Sequence, residues 1–167
     1  MRLREYSESD LRTIFALDEV CFEPPFRFSE RAMRQFAEAR NALTVVAEIE
    51  SSREIAGFCI AHVERARIGL VAYVVTLDVA PQHRRHGLAR TMMQRIEEQA
   101  READCDAVAL HVSVENEGAI AFYESEGYER SHTVKSFYGL GRHAYVYRKP
   151  LGSAERSVDG WKALLKV

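Results

Sequence analysis

A basic loop between a strand-like and a helix-like segment carries the residues best suited to chemistry. It contains Arg84, Arg85, His86 and Gly87, and apolar residues follow it at helical spacing. The first N–H groups of a helix have no intrahelical acceptor, and the helix dipole places partial positive charge there. Gly87 would let the backbone approach an anion closely, and the two arginines add full charges. The segment therefore predicts a phosphate-binding turn.

Taken alone, this loop leaves two interpretations open, a phosphate cradle or a solvated helix start. The loop lacks the Gly-Lys-Ser/Thr ending of a nucleotide-binding P-loop, and it lacks the three-glycine dinucleotide pattern. Other phosphate-bearing ligands remain open at this point.

A second set of candidates lies further along the chain. His111 falls in a strand-like run, Asn116 precedes a helical segment, and Tyr123 lies within that segment. A histidine with a pKa near ~6.5 can accept or give up a proton near neutral pH, and a phenol with a pKa near ~10 can donate one. The alternative for Tyr123 is a residue that packs its helix on a sheet. The alternative for His111 is a residue that only lines a groove.

The elements that must position these residues follow from the hydrophobic periodicity. The pattern predicts helices from about 11, 30, 88 and 115, and strands at 3–6, 43–49, 55–63, 70–79, 107–114, 129–137 and 144–149. Helices alternate with a mostly antiparallel sheet, so we expect one mixed α/β layered domain over residues 1–150. Residues 151–167 are expected to form an extension, with a short helix at 161–165.

The connection after the first helix contains two prolines and three phenylalanines, an unusual composition for a loop. Loops carry binding residues more often than core residues, so one wall of a substrate groove is one interpretation. A loop that simply packs on the core is the other.

Composition narrows the class of protein. The chain has 167 residues, 47% of them hydrophobic, and a net charge of −2, which together indicate a globular domain without broad attraction to nucleic acid or anionic membranes. We expect neither a signal peptide nor a membrane span. Cys21, Cys59 and Cys105 lack metal-ligand spacing and indicate reduced thiols in a cytoplasmic protein, with no metal.

Three motifs resemble those of the GNAT acetyltransferases. Arg84-x-x-Gly87-x-Ala89 is similar to that family's acetyl-CoA pyrophosphate loop. Asn116, Ala119, Tyr123 and Gly127 match its Asn-x-x-Ala-x-x-x-Tyr-x-x-x-Gly signature, and Phe137-Tyr138 before the last strand resembles its final hairpin. The resemblance implies a GNAT-like fold, with a twisted sheet of six to seven strands flanked by about four helices.

The resemblance also implies roles for particular residues. The residues expected to contact acetyl-CoA are Leu77, Val79, Arg84, Arg85, His86, Gly87, Leu88, Ala89 and Asn116. Backbone groups of the first two would meet the pantetheine arm and the acetyl carbonyl, and Tyr123 would protonate the departing thiolate. Transfer would be direct, in a ternary complex, so none of the cysteines is assigned as a nucleophile.

Within the superfamily, the chain resembles the RimI-like ribosomal-protein branch of the N-terminal acetyltransferases. That branch implies a peptide groove that includes Phe22, Pro25, Phe26 and Tyr138. It usually carries Glu where this chain has His111, so His111 is the candidate base.

The implied function is acetylation of the α-amine of a protein or peptide N-terminus, and a ribosomal protein is one candidate partner. A small-molecule amine as acceptor (a polyamine, an amino acid or an aminoglycoside) is the first alternative. A non-catalytic acyl-CoA-binding module is the second. The oligomeric state is left open.

Overall fold

The structure is a computed structural model and describes residues 1–24, 26–66 and 69–152. The strands in this part of the chain are β1 Arg2–Glu5, β2 Ala42–Glu48, β3 Ile55–Ala66, β4 Gly69–Val79, β5 Cys105–Ser113, β6 Glu129–Val134 and β7 Ala144–Pro150. The α-helices are α1 Leu11–Cys21, α2 Glu30–Ala37, α3 Leu88–Glu102 and α4 Glu117–Ser125. The sheet has the strand order β1-β2-β3-β4-β5-β7-β6.

This architecture confirms the expected mixed α/β fold, with seven strands and four α-helices within the described part of the chain. Several strand boundaries differ from the sequence-based prediction by one to three residues, and β3, predicted to end at 63, runs to Ala66. The strand predicted to reach residue 137 ends at Val134, because Ser136 adopts a left-handed conformation (φ 55°) that turns the chain into a hairpin loop. Phe137 and Tyr138 therefore lie on a loop.

The chain divides into two compact units, the first formed by Met1–His62 and Val74–Gln99. Its core includes apolar residues of α1 at helical spacing, Leu11, Ile14 and Leu17, packed with Phe58 and Ile60 of β3. A serine caps α2, since Ser29 Oγ accepts the Ala32 N–H at 3.2 Å. The end of β4 and the basic loop belong to this unit, together with its apolar core.

The second unit comprises Val63–Tyr73 and Ala100–Val167. In it, β7 pairs antiparallel with both β5 and β6, and the register aligns His111, Val146 and His132 in one row. Partners across a ladder share a face, so the two histidines lie on the same side of this sheet segment. On α4, Glu124 accepts a hydrogen bond from the buried Tyr147 hydroxyl at 2.7 Å, which ties the helix to β7.

Two sequence-based expectations concern the end of the chain. The helix expected at 161–165 lies outside the described residues, and the division into a 1–150 domain and an extension stays a prediction. The last described residues continue the strand, since the Leu151 N–H donates to the carbonyl of Asp106 at 2.9 Å. Within the described ranges, each helix falls short of the length and apolarity needed to cross a membrane.

Candidate functional site

The end of β4 alternates between a buried and a half-exposed face. Thr76 and Asp78 are 6% and 1% exposed, whereas Leu77 and Val79 are half-buried. Successive residues of a strand point to opposite faces, so the two residues predicted to serve acetyl-CoA share the more accessible one.

The basic loop is an exposed turn between a 3₁₀ segment, Pro81–His83, and α3. Arg84, Arg85, His86 and Gly87 are exposed, Leu88 is buried and Ala89 is half-buried on the first turn of α3. Arg85 and Gly87 both have positive φ, 64° and 79°. A Cβ on Gly87 would meet nothing within 4 Å, so glycine is required there for its backbone conformation and not for space.

Arg84 folds back onto β4 instead of projecting from the loop. Its Nε donates to the carbonyl oxygen of Val79 at 3.0 Å, and the Cys21 thiol donates to the same oxygen at 3.4 Å. Burial raises the pKa of Cys21. A raised pKa disfavours the thiolate, so Cys21 is poorly suited to act as a nucleophile.

Asp78 is an acidic residue that is almost completely buried at the end of β4. Its Oδ1 accepts the Thr76 hydroxyl at 2.5 Å, and its Oδ2 is buried without a hydrogen-bond partner among the described residues. Burial is the main cause that raises the pKa of Asp78 well above 3.8, and the charge of Asp18 raises it further. The geometry and the raised pKa both favour a neutral carboxyl.

This carboxyl predicts a particular pH dependence of stability. The folded state holds the Asp78 proton more tightly than the unfolded chain, so wild-type stability falls as pH rises from 3.8 toward the raised pKa. Asp78→Asn has no carboxyl to titrate, so its free energy of unfolding does not fall for this reason. As pH rises through that window, the free energy of unfolding of the variant minus that of the wild type should increase by up to about 1.4 kcal/mol per pH unit. Urea unfolding across pH measures this difference, with the exposed Asp104→Asn as control. Parallel pH curves for wild type and Asp78→Asn would contradict it.

The connection between α1 and α2 carries the predicted groove residues Phe22 and Phe26, and both are half-buried. Pro25 lies outside the described residues. The structure therefore places two of the three groove residues predicted for this connection in a partly accessible position.

His111 lies at the centre of an aromatic cluster in the second unit. Its Nδ1 is 3.0 Å from the hydroxyl of Tyr73, and its ring stacks on Phe137 with centroids 3.9 Å apart and planes at 3°. Tyr138 packs edge-on against Phe137 at 4.8 Å. The cluster fixes the imidazole from two directions, through a hydrogen bond and through a ring face.

Burial controls the ionisation of this cluster. It lowers the pKa of His111 to about 4, with a further contribution from His132, so the imidazole is neutral at neutral pH. Burial also raises the pKa of Tyr73, and it raises the pKa of Tyr138 to about 12. Both phenols therefore keep their protons, and His111 with Tyr73 forms a neutral pair that can pass a proton.

A histidine braces the loop that carries the cluster's aromatic residues. The Ser136 N–H donates to His143 Nδ1 at 3.0 Å, and the Tyr138 N–H donates to the carbonyl of Arg142 at 3.2 Å. These bonds stabilise the β6–β7 loop around Phe137.

Asn116 and Tyr123 lie at the start and in the body of α4. Asn116 is the N-cap, and its Oδ1 accepts the Ala119 N–H at 3.0 Å. Tyr123 is 8% exposed and packs against Phe122 and Tyr128. The helix ends at Ser125, and Gly127, predicted as its stop, adopts a left-handed conformation with φ 83° just beyond it.

Tyr73 of the aromatic cluster was not predicted as a site residue, and Phe137 was predicted only as part of the final-hairpin motif and not as a partner of His111. Tyr73 belongs to the same strand as Leu77, four positions earlier, and a period-2 reading of β4 would place both on one face. The contact of Phe137 with His111 has no sequence signal, because a hairpin loop brings it there.

The chain belongs to the acetyltransferase (GNAT) family, whose pattern it matches over residues 11–128. That range contains β4, the basic loop, α3, Asn116 and Tyr123, which confirms the family resemblance.

Three comparisons illustrate the match. The chain is 37% identical over 83 residues to the Schizosaccharomyces pombe N-terminal acetyltransferase B complex catalytic subunit naa20, covering 47% of this chain and 46% of that one. The structure of Chaetomium thermophilum Naa20 with a bisubstrate analogue is 28% identical, with TM-score 0.76 and coverage of 90% and 86%. The Escherichia coli ribosomal-protein-S18-alanine N-acetyltransferase shares the fold, with TM-score 0.79, 19% identity and coverage of 94% and 97%. The chain spans about half the length, or less, of the curated relatives it matches.

Proposed function

We propose that this protein transfers an acetyl group from acetyl-CoA to the α-amine of a protein or peptide N-terminus. The observation that carries the proposal is the family match over residues 11–128, which includes the basic loop and the Asn116–Gly127 motif singled out from the sequence. The relatives named as N-terminal acetyltransferases support the choice of acceptor.

Acetyl-CoA supplies a thioester whose acyl carbon accepts the amine and whose sulfur leaves. The first-turn N–H groups of α3 and the exposed Arg85 form a donor set that fits a pyrophosphate. The amide nitrogen of Asn116 and backbone groups of Leu77 and Val79 complete the proposed cofactor contacts.

His111 is the proposed acceptor of the amine proton, and Tyr73 is its hydrogen-bond partner. The imidazole is neutral over the physiological range, so it is in the correct form to take a proton directly or through water. Tyr73 fixes the ring and can share the proton. Tyr123 is the proposed acid for the leaving sulfur, since a phenol is a competent proton donor to a thiolate.

The proposal is tested by thiol release from acetyl-CoA against peptides that differ in their first two residues. One peptide starts with Ala, because the Escherichia coli neighbour is named for an alanine N-terminus. Spermidine, lysine and an aminoglycoside run beside them. Turnover that requires a free peptide α-amine supports the proposal, whereas turnover confined to the small amines would replace the acceptor. CoA binding without turnover would favour a non-catalytic module.

A charge substitution tests the proposed pyrophosphate contact. Arg85→Ala should weaken CoA binding by about tenfold, because it removes a charge-assisted hydrogen bond. Added salt should shrink the difference, since exposed charges are screened. Calorimetry measures the Kd, and Arg12→Ala, an exposed arginine on α1, is the control. Equal affinity of wild type and Arg85→Ala at low salt would contradict the contact.

A ribosomal protein as acceptor, the cytoplasmic location and the lack of a metal requirement stay predictions. The first is tested by including the N-terminal peptides of ribosomal proteins in the panel. The last is tested by assaying the purified protein with a chelator present.

A further inference from the structure

Asp18, on the last turns of α1, is a fully buried acid that no step of the proposed reaction uses. Its side chain is 0% exposed. Oδ2 accepts the backbone N–H of Phe28 at 3.0 Å, and Oδ1 is buried without a hydrogen-bond partner among the described residues. An acid in such a place costs stability through desolvation, which makes its presence informative.

Asp18 contacts both ends of the α1–α2 connection, residues 22–29. Its backbone carbonyl accepts the Phe22 N–H at 3.0 Å, and its side chain accepts the Phe28 N–H. One residue therefore closes this connection into a loop. The bond to Phe28 spans ten positions, which helical periodicity does not provide.

Contacts inside the connection support the same closure. The Arg27 side chain donates to the carbonyl of Phe22, and the Phe26 N–H donates to the carbonyl of Glu23 at 2.8 Å. Phe28 itself packs edge-on against Phe36 of α2, with ring centroids 5.1 Å apart. The side chains of Phe22 and Phe26 are presented from a loop whose two ends are fixed.

We propose that Asp18 is a positioning residue that sets acceptor affinity, by holding the loop of Phe22 and Phe26 through its hydrogen bond to the Phe28 N–H. This inference rests on the proposed function, in which those phenylalanines line the peptide groove. Asp18 does not touch the reacting atoms. Its loss should therefore change the KM for the peptide much more than kcat or the Kd for CoA.

Substitutions of Asp18 must separate the effect of its charge from the effect of its hydrogen bond to the Phe28 N–H. Burial is the main cause and raises the pKa of Asp18, whereas the Phe28 N–H and Arg27 favour the ionised carboxyl and Glu19 disfavours it. Asp78 is a further acid near Asp18. Asp18→Asn removes the ionisation and keeps an oxygen that can accept the Phe28 N–H. Asp18→Ala removes the ionisable group and the acceptor oxygen, and Asp18→Val does the same while filling more of the space left by the carboxyl.

The test compares steady-state kinetics of these variants with the peptide that the acceptor panel identifies. Asp18→Ala should raise the peptide KM by about tenfold, the effect of losing one buried hydrogen bond. Asp18→Asn should stay within about twofold of wild type. Glu19→Ala, on an exposed neighbour, is the matched control. If Asp18→Ala fails to fold, Asp18→Val takes its place, with circular dichroism confirming the fold.

A second readout needs no substrate. Amide hydrogen exchange at Phe28 should be faster in Asp18→Ala or Asp18→Val than in wild type, and Asp18→Asn should preserve its protection. Unchanged exchange, an unchanged peptide KM, or an Asp18→Asn variant that behaves like Asp18→Ala would overturn the proposal. A wild type without turnover would instead contradict the proposed function, and the exchange result would still decide whether Asp18 holds the loop.

Discussion

Tyr123→Phe is expected to lower kcat by about 100-fold or more, because it removes the proposed acid for the leaving thiolate. The Kd for CoA should stay within about twofold, since the phenol ring and its packing against Phe122 and Tyr128 are retained. Steady-state turnover and calorimetry on the same preparation separate these two effects. The alternative, that Tyr123 only packs α4, predicts a small loss of stability and an unchanged kcat.

Tyr128→Phe provides the matched control for that measurement. Tyr128 is 2% exposed and contacts Tyr123, so its substitution also removes a buried hydroxyl from the same cluster. It should alter stability and leave kcat near the wild-type value. Equal losses of kcat in the two variants would indicate disturbed packing and would remove Tyr123 from the acid role.

His111→Ala is expected to lower kcat/KM by about 100-fold at neutral pH, the usual effect of losing a general base. Tyr73→Phe should have a smaller effect, and the double variant should lose less than the product of the two, because the residues act as a hydrogen-bonded unit. His132→Asn, on the same row of the sheet, is the control and should retain turnover.

The pH dependence reports the ionisation of His111, and the His111→Ala variant distinguishes a base from a groove residue. The pKa of His111 is about 4, so the imidazole does not titrate between about pH 5 and 9. In that range kcat/KM should follow ionisation of the acceptor's α-amine, whose pKa is about 7.7–8.0, and should fall as the pH drops below that pKa. An NMR titration of the His111 ring reports its pKa directly. A value near 6.5 would show that burial does not control the site. Wild-type turnover in His111→Ala would leave His111 as a groove residue.

The local parts of the site could be predicted from sequence because their signals are contiguous. The basic loop, with Gly87 before α3, is encoded by a strand, a turn and a helix in direct succession. The cap at Asn116 and the stop at Gly127 follow from short-range hydrogen bonds and backbone conformation. For the same reason, the helices and strands were predicted to within a few residues at most ends.

The long-range parts could not be predicted. Tyr73 and His111 are 38 positions apart, and nothing in their local sequence states that they share a hydrogen bond. Phe137 reaches the imidazole only because the strand ends early and a hairpin loop returns the chain. The pKa of His111 depends on burial by these neighbours, so it too is a property of the packed structure.

The sequence by itself determined the family, the order of the elements and the candidate residues on the basic loop and on α4. Periodicity, capping and turn chemistry act over a few residues, so they can be recognised in short stretches of the sequence. Only the tertiary structure decided that Asp18 closes the α1–α2 connection, that Asp78 is buried, and that His111 is neutral. Desolvation and contacts between distant segments arise only when the chain packs, so they cannot be predicted from the local sequence pattern.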